Sequence, residues 1–231
     1  MNFPFTKAQF FDVFAAYNNA VWPAQFVLAF IAIALLVLIL LAPRRAGRFV
    51  AFGLAVLWAW LALVYHLAFF WAVNPTAPLF AAVSLGAAGA FVWSGGIRNG
   101  LVFESGISSR RAVGLLVILY ALALYPVIGE SIGHRYPRTP TFGLPCPTTL
   151  YTFGILLMAS PGFSRTMVIG PLVWSLIGAG AAFALDVPQD FGLVVVAVLG
   201  VYLLFVPVTK PVGNVRNDGP DRVEPVDDRS D

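Results

Sequence analysis

Charge is scarce in this sequence: Asp, Glu, Lys and Arg make up only 11% of its 231 residues, against about a quarter in a soluble domain. A water-solvated protein with so few charges would have no polar surface to put over its core. Cysteine is nearly absent. The single thiol, Cys146, excludes an internal disulfide and a C-x-x-C redox motif. No G-x-x-x-x-G-K-[ST] loop occurs, which excludes phosphate-loop ATP chemistry within this chain. The net charge of +3 is too small to mark a nucleic-acid partner. No carboxylate falls in the middle of an apolar run, which argues against a proton relay through a membrane centre. No internal repeat of the kind many transporters carry is present.

What is abundant is apolar: 59% of the residues are hydrophobic, and the mean hydropathy is +0.84. The lipid bilayer is the solvent that fits. Residues 13–43, 49–97, 112–129, 139–164, 166–185 and 191–209 contain no Asp, Glu, Lys or Arg. A spanning helix needs roughly 20 apolar residues to cross about 30 Å of hydrocarbon. The run 49–97 is long enough for two and breaks at Asn74-Pro75, a turn signal. The sequence therefore predicts an all-α, polytopic transmembrane bundle of about seven spans, near 20–42, 48–71, 77–97, 111–129, 147–161, 166–185 and 189–206. The fifth is the weakest, being short and opening with prolines. The first run ends at Arg44-Arg45 as a stop-transfer does, so it reads as a retained span rather than a cleaved signal.

Seven spans put the termini on opposite sides and gather eleven basic residues on one side: Arg44, Arg45, Arg48, Arg98, Arg110, Arg111, Arg165, Lys210, Arg216, Arg222 and Arg229. Lys7, Arg135 and Arg138 fall on the other. Positive loops stay in the cytoplasm, so the reading is N-terminus out and C-terminus in. Trp22 and Trp71 then sit in the outer aromatic belt, Trp93 and Tyr202 in the inner one.

Three segments follow. Residues 1–19 form an outer interfacial amphipathic helix, because Thr6-Lys7-Ala8-Gln9 has capping-box spacing and Phe5 and Phe10 are placed for a hydrophobic staple; Phe10, Phe14 and Tyr17 share one face for the interface. Residues 20–206 are the membrane domain, and 207–231 are a polar cytoplasmic tail of disordered composition. Ala82, Gly86, Ala90 and Ser94 recur every fourth residue, a small-residue stripe of the kind that packs helices closely.

The outer loop 129–147 is the segment unlike the rest: long, dense in Gly and Pro, yet carrying Ile132, Tyr136, Phe142 and Leu144, which call for burial. It holds Glu130, His134 and Cys146. Glu130 and His134 share a helix face if the fourth span continues. His66, the other histidine, stands 18 residues from Arg48, and Glu130 stands 19 from Arg111. At 1.5 Å per residue both lie about 27–28 Å from the inner end. His66, Glu130, His134 and Cys146 thus form a candidate metal site, with imidazole and thiolate suited to a transition metal, or with two histidines facing a haem. Each also has a plain structural reading. His66 snorkels or bonds a carbonyl, Glu130 pairs with Arg135 or Arg138, and Cys146 is a small buried hydrophobe. Pro145 and Pro147 leave Cys146 on an unwound helix entry, where a pocket at the start of span five is expected. Asp186 and Asp190 bracket the outer turn between spans six and seven as solvated carboxylates.

The stretches FFDVFAAYNNAVWPAQ, residues 10–25, and HRYPRTPTFGLPCPTTLYTFG, residues 134–154, resemble a family of bacterial integral membrane proteins catalogued as domain of unknown function 6064. The family motif falls on His134, Tyr136, Pro137, Phe142, Gly143, Pro145, Cys146 and Pro147. The resemblance implies a bacterial inner membrane, no attached catalytic domain and, the family being uncharacterised, no particular reaction.

Three functions fit, in this order: transport or handling of a metal ion or small solute in an outer-face pocket; a membrane-embedded enzyme with Cys146 as nucleophile and His134 as base; and a non-catalytic subunit whose outer loop docks a periplasmic protein partner.

Overall fold

The computed structural model describes residues 4–106 and 108–205, and among these the regular structure is helix, with no strands. That is what lipid demands, since an apolar solvent leaves each segment to satisfy its own backbone. Helix α1 is Lys7–Ala20, α2 Ala24–Leu41, α3 Pro43–Trp60, α4 Ala77–Ala90, α5 Ser109–Leu119, α6 Tyr125–Ser131, α7 Pro145–Met158, α8 Thr166–Leu185 and α9 Gly192–Phe205. Three of them run on through wider π-helical turns: α3 into Leu61–Phe69, α4 into Phe91–Ile97, and α5 through Tyr120–Leu124 into α6. Pro126, which lacks an N–H, accounts for the last widening.

Six continuous helices are long and apolar enough to cross a membrane: Ala24–Leu41, Pro43–Ala72, Ala77–Ile97, Ser109–Ser131, Thr166–Leu185 and Pro188–Phe205. They match six of the seven expected spans closely. The fifth departs. Helix α7 has 14 residues and rises about 21 Å, and every one of its residues is buried. It still runs the depth of the bundle. It starts beneath α1, and just past its far end Ser160 N donates to Val102 O, 2.8 Å, in the loop that follows α4. A helix wrapped by other helices meets protein rather than lipid, so its length is not set by the hydrocarbon thickness. Close wrapping needs glycine on both sides of the α5–α7 contact. A Cβ on Gly114 would lie 2.6 Å from Gly154 O, and one on Gly154 2.8 Å from Gly114 O.

Helix α1 has the expected start. Thr6 Oγ1 accepts from Gln9 N (3.2 Å) and Gln9 Oε1 accepts from Thr6 N (2.8 Å), and the Phe5 and Phe10 rings stack with centroids 5.8 Å apart. Its apolar face meets protein, however: Phe10, Phe14 and Tyr17 are buried against Tyr65 and Phe69 of the α3 extension and Phe70 just after it. α1 is a cap on one end of the bundle.

Lys7, Arg135 and Arg138 lie at this capped end, paired with Asp186, Glu130 and Asp12. Arg44, Arg45 and Arg48 line a groove with Asn99, Leu101 and Val102 at the other, where Arg110 Nη2 donates to Leu156 O, 2.8 Å. Half of the small-residue stripe is an internal contact: Ser94 is buried with its hydroxyl 3.1 Å from Thr166 Oγ1, and Ala90 packs against the core. Ala82 and Gly86 are exposed and a Cβ on Gly86 would touch nothing, while Ala81, Ser84, Ala87 and Ala88 are the buried face of α4. There the packing stripe lies one residue away, with Ala87 against Gly170 of α8. The expected tail, 207–231, lies outside the described residues.

Candidate functional site

Beneath α1 the bundle holds a largely enclosed cavity of about 70 Å³. α1 roofs it with Phe10 and Phe14, the α3 extension and the turn after it supply Tyr65 and Phe70, and α4 and α8 contribute Phe80 and Trp174. Its polar groups are few. Cys146, on the first turn of α7, and Asp190, on the 3₁₀ turn Pro188–Phe191, are the two that ionise besides Tyr65. The Trp174 indole N–H turns toward the thiol and has no hydrogen-bond partner of its own.

Asp190 overturns its expected role. Instead of meeting solvent it is 3% exposed, and it is the one buried carboxylate among the described residues. Tyr125 OH donates to its Oδ1, and Cys146 lies beside it. No Lys, Arg or His among the described residues pairs with it. Asp186 does behave as expected: its side chain is exposed and lies 3.1 Å from Lys7 Nζ. The difference comes from Asp186 itself, whose left-handed backbone (φ +55°) ends α8, after which Pro188 opens a 3₁₀ turn that points Asp190 inward. Sequence alone gives no sign of which of the two would turn in.

The four expected ligands occupy separate settings. His66 is fully buried with neither ring nitrogen hydrogen-bonded. Its imidazole packs among Trp174 (5.0 Å between centroids), Tyr65 (5.2 Å) and Phe80 (5.9 Å), all three of which also wall the cavity. Glu130 is exposed and pairs with Arg135 Nε at 3.3 Å. His134 stacks on Phe11 at 4.6 Å, and its Nδ1 lies 3.0 Å from Gln189 Nε2. Burial holds this imidazole below its usual 6.5, against a raising contribution from Gln189. Cys146 faces Asp190 and Trp174, so the thiol and the His134 ring do not share a hydrogen bond. Among the described residues no three His, Cys, Asp or Glu side chains gather as a metal ion requires.

The loop between α6 and α7 is held shut over the bundle by a residue that sequence reasoning passed over. Asn18 is fully buried. Its Nδ2 donates to Pro137 O (2.7 Å) and Thr139 O (2.8 Å), and its Oδ1 accepts from Thr141 Oγ1 (2.7 Å). Tyr136 OH (3.2 Å) and Gln25 Nε2 (2.7 Å) both donate to Asn18 O. A polar pair, Asn18-Asn19, near the end of an apolar helix was the available signal. Beside it, Trp60 Nε1 donates to Tyr17 OH, 2.8 Å, and burial pushes the Tyr17 phenol up to about 12, so it stays neutral.

A helical bundle with lipid-length apolar helices around a buried core helix, and a small polar-floored cavity under one end, is the class that fold and site define. Residues 7–212 match the family described as "Family of unknown function (DUF6064)", and the chain belongs to that family. No curated protein matches it, and no solved structure does.

Proposed function

We propose that the chain is a seven-pass protein of the bacterial inner membrane, with its capped end outside, that handles a small solute in the cavity beneath α1. The segregation of described basic residues supports the orientation: Lys7, Arg135 and Arg138 at the capped end, and the partnerless Arg44, Arg45 and Arg48 at the other, where positive loops remain cytoplasmic. Helix α7 is then the seventh pass, shielded from lipid. The observation that carries the functional reading is the cavity itself, with Asp190 and Cys146 set on its wall beneath Phe10 and Phe14 of α1. A buried polar floor inside an apolar bundle is a costly feature that marks ligand paths more often than structure.

Cys146, as the single thiol, reports on access without any engineered background. In sealed right-side-out membrane vesicles, methyl methanethiosulfonate labels Cys146, and Ala181→Leu, which fills the cavity from α8, slows that labelling. A thiol that stays unlabelled until the protein is denatured would sink the reading.

A further inference from the structure

We infer that the cavity beneath α1 is a binding site for a small organic cation of the ammonium class, an inference that rests on the small-solute reading above and names its substrate.

The starting point is an unbalanced charge. Asp190 is buried, and its two closest polar partners, the Tyr125 hydroxyl and the Cys146 thiol, are neutral donors. They satisfy lone pairs but supply no countercharge. No cationic side chain among the described residues reaches the carboxylate. Burying an uncompensated carboxylate is unfavourable, so the site favours either a proton on Asp190 or a cation brought in from outside.

The walls select among cations. Phe10, Phe14, Tyr65, Phe70, Phe80 and Trp174 present aromatic surface around the carboxylate. Ring faces attract weakly hydrated cations such as ammonium groups. They cannot replace the oxygen shell of a hard metal ion, and no second and third ligating side chain accompanies Asp190 and Cys146. An anion would meet the carboxylate in a low dielectric and be repelled. One N–H of an alkylammonium can donate to Asp190 while its methyl groups lie against the rings.

Size fits the same class. The cavity of about 70 Å³ is several times the roughly 10–15 Å³ that one water needs, which leaves room for a few non-hydrogen atoms and not for a large solute.

The test uses the full chain purified in detergent, with thermal unfolding followed by circular dichroism. The probes are methylammonium and dimethylammonium chloride, against methanol and ethanol of matching heavy-atom count, and against sodium chloride at equal ionic strength. The cations raise the unfolding midpoint of wild type and of the surface control Asp186→Asn, and do not raise that of Asp190→Asn. Their half-effect concentrations fall at least about tenfold below those of the alcohols, the ratio expected when cation–π contact and a carboxylate act together. If Asp190→Asn does not fold, Ala181→Leu, which keeps the carboxylate and removes the space, must abolish the cation effect; a retained effect overturns the proposal. Alcohols acting as strongly as the amines would overturn the cation class and leave the small-solute cavity standing. Amines and alcohols both inert, with Cys146 still labelled in vesicles, would also overturn the cation class alone. Inert probes together with an unlabelled Cys146 would overturn both.

Discussion

Tyr125, on α6, donates its phenolic hydrogen bond to Asp190 on the turn before α9, joining two segments 65 residues apart around the one buried carboxylate among the described residues. Tyr125→Phe keeps the ring and removes that donor. A hydrogen bond to a charged or strongly polar acceptor is worth about 1.5–3 kcal/mol when buried, so the variant should unfold earlier in a denaturant titration by an amount in that range. A midpoint within error of wild type would mean that Asp190 is not held by Tyr125.

Asn18 ties the loop between α6 and α7 to α1 through three side-chain bonds, to Pro137 O, Thr139 O and Thr141 Oγ1. Asn18→Ala leaves those groups partly buried without their partner, at a net cost of about 2–3 kcal/mol. The loop should then be cut by added protease at residues 133–141 at least several-fold faster than in wild type, with the spans intact.

The α5–α7 contact admits no side chain at Gly154, where a Cβ would lie 2.5 Å from Ile118 Cγ1 and 2.8 Å from Gly114 O. Gly154→Ala must push the helices apart. Overpacking of this kind costs about 1–3 kcal/mol, read as a lower thermal midpoint, whereas Gly86→Ala on the exposed face of α4 should leave the midpoint unchanged.

His134 gives the capped end a pH dependence with a definite sign. Its folded-state pKa lies below the usual 6.5, so the folded state binds fewer protons on this ring than the unfolded one does. The contribution to stability is complete above about pH 6.5 and is lost as pH falls below it. Amide exchange in the 133–141 loop should accelerate as pH falls below 6.5, after correction for intrinsic rates, and His134→Gln should flatten that change.

Glu130 and Arg135 are paired but exposed. Pairs of this kind contribute about 0–1 kcal/mol, so Glu130→Ala should leave the unfolding midpoint nearly in place. It should also leave the metal content of the purified protein unaltered, measured by elemental analysis. Metal lost from Glu130→Ala and His134→Ala alike would restore the four-residue centre in a rearranged form.

Much of the architecture could be read from residue order. Arg44-Arg45 and Arg110-Arg111 stand in the first turns of α3 and α5 because hydrocarbon excludes charge, and Asn74-Pro75 marks the turn before α4 because such a pair favours a turn. Thr6 and Gln9 announced the start of α1 because a capping box is local chemistry within four residues. The candidate site was less legible. The loop was found for its Gly, Pro and buried-type aromatic residues, and Cys146 does line a pocket at the entry to α7, as expected. His66, Glu130 and His134 do not meet, because rise along a helix gives an expected level and says nothing about rotation around it. Ala82 and Gly86 failed as a packing stripe for the same reason.

The sequence by itself determined which stretches are long and apolar enough to cross a membrane, since transfer of a charge or an unpaired backbone group into lipid is costly wherever it occurs in the fold. Tertiary structure decided which apolar face is buried against protein and which is left exposed. It also decided that α7 is wrapped by other helices and that Asp190 turns inward while Asp186 turns out. The physical reason is that lipid and protein interior are nearly equivalent solvents for Leu, Val and Phe. Little amphipathic contrast is left along these helices, and only the packing of whole helices, with glycines at 114 and 154 and a short turn after Pro188, resolves what hydropathy cannot.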